Sequence, residues 1–193
     1  KSNNENPLEE LLEAIILDND NGLFKIQTAN EWMDQSKLKP IPKMLFSELW
    51  FESELCILFA DTNLGKSILA VQIGNSISKG ESIKGFKLEG SKQPILYFDF
   101  ELSDKQFENR YSTDYKNHYT FDENFLRIEI DSEADIPKNE TFEDYLYKSL
   151  EKSIITTGAK ILIIDNITYL KTETEKAKDA LPLMKELKAL KSK

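Results

Sequence analysis

The feature that most constrains this chain is the stretch 54–80, ELCILFADTNLGKSILAVQIGNSISKG, where a short apolar run passes through a loop ending Gly65-Lys66-Ser67 into an amphipathic segment. Leu55, Ile57, Leu58 and Phe59 make a near-continuous run of strand length, as expected of a parallel strand covered on both faces. Beyond Lys66 the apolar residues Leu69, Ile73 and Ile77 recur at helical spacing, which puts Lys66 and Ser67 on the first turn of a helix. There, unpaired backbone N–H groups and the positive end of the helix dipole favour an anion. A lysine adds a mobile charge for terminal phosphates, and a hydroxyl can reach Mg²⁺.

The pattern G-x-x-x-x-G-K-[ST] is met by Ala60, Asp61, Thr62, Asn63, Leu64, Gly65, Lys66 and Ser67 at every required position except the first, where Ala60 replaces Gly. Alanine is comfortable there if it merely ends the strand, and costly if the residue must be left-handed.

At 193 residues with a hydrophobic fraction of 40%, one globular core is expected. No apolar run approaches the roughly 20 residues of a membrane span, and no signal-peptide pattern opens the chain, so a soluble, cytoplasmic protein without membrane partners is expected. Cys56 is the single cysteine, and its place in the apolar run reads as a small buried hydrophobe. The net charge of −9 argues against a broad basic face that would hold nucleic acid by counterion release, so any DNA contact is expected to be local or to lie elsewhere. Arginine occurs only at positions 110 and 127. The lone histidine, His118, reads as a surface residue, and Cys/His metal sites are excluded by count.

Taken in order, Asn6-Pro7-Leu8-Glu9 opens one helix, and Thr28 with Glu31 caps a second that carries Trp32 and Met33. Pro40 and Pro42 mark a linker at 36–42. Residues 95–100 read as a buried strand ending at Glu101, just before a capping box of Ser103 with Gln106. Residues 125–130 alternate as a third strand with Arg127 and Glu129 facing water. Thr141 with Asp144 starts a helix through Tyr145, Leu146 and Leu150, and Ile161 to Ile164 form the most apolar strand, ended by Asp165. From such a position an aspartate can hold Mg²⁺ through water, with Asn166 able to orient water beside it. A final helix is expected from Thr172, interrupted at Pro182.

Three blocks, ADTNLGKS, YFDFELSDKQFENR and ILIIDN, stand in this order and resemble the RecA/DnaB-type P-loop ATPases, within them the RepA-like AAA-domain helicase relatives of plasmids and mobile elements. The resemblance covers about 45–193, and Glu-Leu-Ser-x-x-Gln-x-x-x-Arg discriminates, since it resembles the segment that carries the catalytic glutamate in DnaB-type enzymes. It implies an α/β, RecA-like fold with a mostly parallel sheet flanked by helices, an N-terminal helical extension over 1–40 and an ATPase core over 41–193, incomplete at its C-terminus. Residues 60–67 would bind ATP, with Lys66 on the β and γ phosphates. Ser67 and Asp165 would serve Mg²⁺, and Glu101, one strand away, would activate water. Asp99, on the same strand face as Glu101, is the alternative carboxylate, and Arg110 serves either nucleotide or an intrahelical ion pair with Glu108 or Asp114. The implied function is a DNA replication or mobilisation helicase or motor, as a homo-oligomer, a hexameric ring in the family, contacting single-stranded DNA through regions outside this sequence. The alternatives are a KaiC-like regulatory ATPase and a nucleotide-binding assembly module that does not turn over.

Overall fold

One fully buried apolar strand, a half-buried apolar strand beside it, and the helices that cover them set the architecture. The computed structural model describes residues 25–61 and 63–166, so the helix expected from Asn6, the loop residue Thr62 and the helix expected from Thr172 lie outside it. Contacts divide the chain between Ile41 and Pro42, and each side is taken by itself.

On the N-terminal side, α1 (Ala29–Ser36) has the expected capping box. Glu31 N–H donates to Thr28 Oγ1 at 3.2 Å and Thr28 N–H donates to Glu31 Oε2 at 2.7 Å. None of its residues is buried, Trp32 and Met33 included.

From Pro42 onward, β1 (Met44–Phe46) pairs antiparallel with β2 (Trp50–Phe51), and α2 (Lys66–Lys79) follows. Next come β3 (Ile95–Asp99), α3 (Asp104–Arg110), the small hairpin of β4 (Ser112–Thr113) with β5 (Asn117–His118), β6 (Phe125–Ile128), α4 (Phe142–Thr157) and β7 (Ile161–Asp165). The main sheet has three parallel strands in the order β6-β3-β7, with Ile95 opposite both Phe125 and Ile161 and Asp99 opposite Asp165. The central strand β3 is buried at every position because it has a neighbour on each edge and side chains over each face. One face packs Ile95, Tyr97, Phe125 and Ile161 with Val71 and Ile77 of α2, and the other packs Leu96 and Phe98 with Leu150 of α4. This is the expected α/β fold, a parallel sheet flanked by helices.

Two strand expectations fail. Residues 54–60 are neither strand nor helix, and Leu55, Ile57, Leu58 and Phe59 are 42%, 56%, 46% and 87% exposed. A strand needs a hydrogen-bonded neighbour, and this run pairs with no strand among the described residues, so apolar composition alone does not bury it. Cys56, within the run, is accordingly exposed and not a buried hydrophobe. The second failure is Arg127, whose side chain is only 17% exposed. It shares a face of β6 with Phe125, and that face is covered by helices.

Candidate nucleotide-binding site

Helix α2 runs back along the sheet. Near its end, Ser78 O accepts from Asn124 Nδ2, just before β6, at 3.4 Å, and a Cβ on Gly80 would meet Lys92 N, before β3, at 3.1 Å. Midway, Gly74 sits flat on the sheet, where a Cβ would lie 3.0 Å from both Ile163 and Phe125 side chains. At 1.5 Å per residue, the eight residues from Gly74 back to Lys66 cover about 12 Å, which carries the first turn beyond the middle of β7 to the carboxyl end of the sheet. That edge is where open α/β sheets bind ligands.

The loop before α2 curls through two left-handed residues, Asn63 at φ 64° and Gly65 at φ 83°. Asparagine tolerates that region and glycine is at home in it. Ala60 is not among the residues with positive φ, so its departure from the glycine pattern is sterically harmless. Lys66 folds over its own loop, donating from Nζ to Ala60 O at 2.6 Å and Asp61 O at 3.1 Å. Gly65, the residue before α2, supplies no side-chain cap, so the first-turn N–H groups stay available to an anion. Asp61, Asn63 and Leu64 are exposed, whereas Gly65, Lys66 and Ser67 are half-buried.

Two strand ends bring the acids together. Asp165, buried at the end of β7, accepts a 2.6 Å hydrogen bond at Oδ2 from the Tyr97 hydroxyl, two residues back on β3. Burial, then this hydrogen bond, pushes the Tyr97 phenol far above the ordinary tyrosine range. Glu101, exposed two residues beyond β3, accepts at Oε1 from Asn166 Nδ2, the residue after Asp165.

Asp99 is fully engaged and 2% exposed. Its Oδ1 accepts from Glu101 N at 3.2 Å and Leu102 N at 2.9 Å, and its Oδ2 from Arg127 Nε at 3.0 Å. A carboxylate with these partners shapes the turn and leaves the chemistry to others. Arg127 also donates from Nη1 to Asp104 Oδ1 at 2.7 Å and from Nη2 to Leu102 O at 2.6 Å. The ion pair of Arg110 with Glu108 or Asp114, one of the two roles open to it, is absent among the described residues: Glu108 takes Lys105 and His118, which hold its carboxyl below the usual range. His118 is exposed, as expected.

Among the described residues no cluster of three or more His, Cys, Asp or Glu could cage a metal, and no helix is long and apolar enough to cross a membrane. Tyr97, Arg127 and the hold of Asn166 on Glu101 were not foreseen as parts of the site. The available signal for Arg127 was its two-residue spacing from Phe125.

A glycine-lysine-serine loop opening a helix, at the carboxyl edge of a parallel sheet whose strands end in acids, defines a nucleotide-binding domain of the P-loop ATPase type. A family model described as an AAA domain matches residues 23–192, and the chain belongs to that family. The matched stretch takes in α1, which the motifs alone leave outside. Comparison with curated proteins and with solved structures gives no match.

Proposed function

We propose that this AAA domain binds ATP with Mg²⁺ and hydrolyses it as a RecA/DnaB-like, RepA-like motor of DNA replication or mobilisation. One observation carries the reading: Glu101, beyond β3, and Asp165, at the end of β7, stand on adjacent parallel strands and are linked through Asn166. The residue after Asp165 is an amide, and Glu101 is an exposed acid just beyond the neighbouring strand. Lys66 and the first turn of α2 would hold the phosphates. Ser67, with Asp165 acting through water, would hold Mg²⁺, a metal that keeps several waters and needs only one or two carboxylates. Tyr97, donating to Oδ2, would fix the Asp165 carboxylate for that role. The metal supplies charge that offsets what builds on the transferred phosphoryl group. Glu101 orients a water in line and takes its proton. The motor reading adds a homo-oligomer, a cytoplasmic setting and single-stranded DNA bound by other regions of the protein.

Single-turnover hydrolysis with and without single-stranded DNA tests this. Glu101→Gln should keep ATP bound while lowering turnover by roughly 10² to 10⁴. Turnover indifferent to DNA would favour a KaiC-like regulatory ATPase, and binding without turnover an assembly module.

A further inference from the structure

We propose that Arg127 is a positioning residue for Glu101: from β6 it braces the turn that carries the carboxylate. The proposal rests on the catalytic reading of Glu101. Three nitrogens of one guanidinium reach three acceptors, Asp99 Oδ2 at 3.0 Å, Asp104 Oδ1 at 2.7 Å and Leu102 O at 2.6 Å. These acceptors stand before and after Glu101 on the connection from β3 to α3. Asp99 passes the constraint on, because its other oxygen accepts from the backbone N–H groups of Glu101 and Leu102. The Phe107 ring lies 4.7 Å under the guanidinium carbon and fixes its plane. With the Asp99 side chain 1% and the Arg127 side chain 17% exposed, water has little chance to replace these bonds.

Helix α3 does not need this brace for its own start. Its start is held by the Ser103–Gln106 pair, in which Ser103 N–H donates to Gln106 Oε1 at 2.9 Å. What Arg127 adds is a fixed backbone over residues 99–102, leaving the Glu101 side chain as the remaining freedom. That freedom is taken up from the other side by Asn166. The strand on one flank of β3 therefore sets the backbone of Glu101, and the strand on the other flank sets its carboxylate. A lysine keeps the charge but cannot span three divergent acceptors.

The test uses the full chain and Arg127→Lys, read by amide hydrogen exchange at Glu101 and Leu102, ATP affinity by calorimetry, and turnover at saturating ATP with and without Glu101→Gln. Exchange at the two amides should quicken by about tenfold or more, with ATP affinity within about twofold. Turnover should fall about 10- to 100-fold, as for a misplaced catalytic group, with no further loss when R127K is added to E101Q. If R127K does not fold, Asp104→Asn, at a side chain 78% exposed, removes one arm and should give the same pattern at smaller size. Wild-type protection at both amides with turnover within about twofold would overturn the brace, as would an R127K loss fully additive to E101Q. If E101Q leaves turnover unchanged, the catalytic reading of Glu101 falls. The two amides then decide on the brace alone: faster exchange supports it and unchanged exchange overturns it.

Discussion

The Tyr97 hydroxyl donates to Asp165 Oδ2 at 2.6 Å across two neighbouring strands, and both residues are buried. The two lie diagonally, since Tyr97 is in register with Ile163, so a ring long enough to span two residues is required. Tyr97→Phe keeps the packing and removes the donor, leaving a carboxylate oxygen buried without it. The expected cost is about 1 to 3 kcal/mol in urea unfolding at unchanged slope. A loss below about 0.3 kcal/mol would mean that water replaces the phenol.

Asp99→Asn keeps the shape of the turn and strips the charge facing Arg127. Arg127 keeps Asp104 and Glu129 as ion-pair partners, so loss of the buried Asp99 charge should cost about 1 to 3 kcal/mol. Breaking the exposed Lys37–Asp34 pair by Asp34→Asn should cost about 0 to 1 kcal/mol, and side by side in urea the two separate buried from solvated ion pairs.

Lys66→Ala should abolish ATP binding in calorimetry while leaving the unfolding midpoint near that of the wild type, because among the described residues the Lys66 ammonium bonds to the loop carbonyls of Ala60 and Asp61. Equal ATP affinity in the two proteins would remove the loop from the nucleotide site.

Tyr111 carries a buried hydroxyl, and burial raises its phenol above the ordinary range, against the pull of the neighbouring Arg110. A raised folded value contributes stability that is full below the unfolded value of about 10 and is lost as pH climbs above it. Tyr111→Phe has no such group to lose. The variant should be within about 1 kcal/mol of wild type at pH 7 and gain on it steadily above about pH 10, by urea unfolding at each pH.

What was legible in the sequence was local. The boxes at Thr28 and Ser103 and the cap at Thr141 close over three residues, so their chemistry is written in adjacent letters. The runs 95–99 and 161–165 were legible as strands, and each finds the other as neighbour, the first fully buried and the second half-buried. The run 55–59 has the same composition and no partner among the described residues, and composition does not reveal partners. Arg127 shows the other blind spot: a period of two says which residues share a face of a strand, and not which face a helix covers. Phe125 beside it marked the covered face. The bond from Tyr97 to Asp165 spans 68 residues, beyond any local pattern.

The bare run at 54–60 governs how the protein behaves in a tube. LCILF holds no charge and no proline, and an exposed segment of that kind invites the same segment of another molecule to zip against it. Cys56 lies in its middle as an exposed thiol, so air would turn a passing encounter into a covalent dimer. Samples stored concentrated and without reductant should cloud with time and show a doubled band on non-reducing gels. Ile57→Lys with Cys56→Ser should keep them clear.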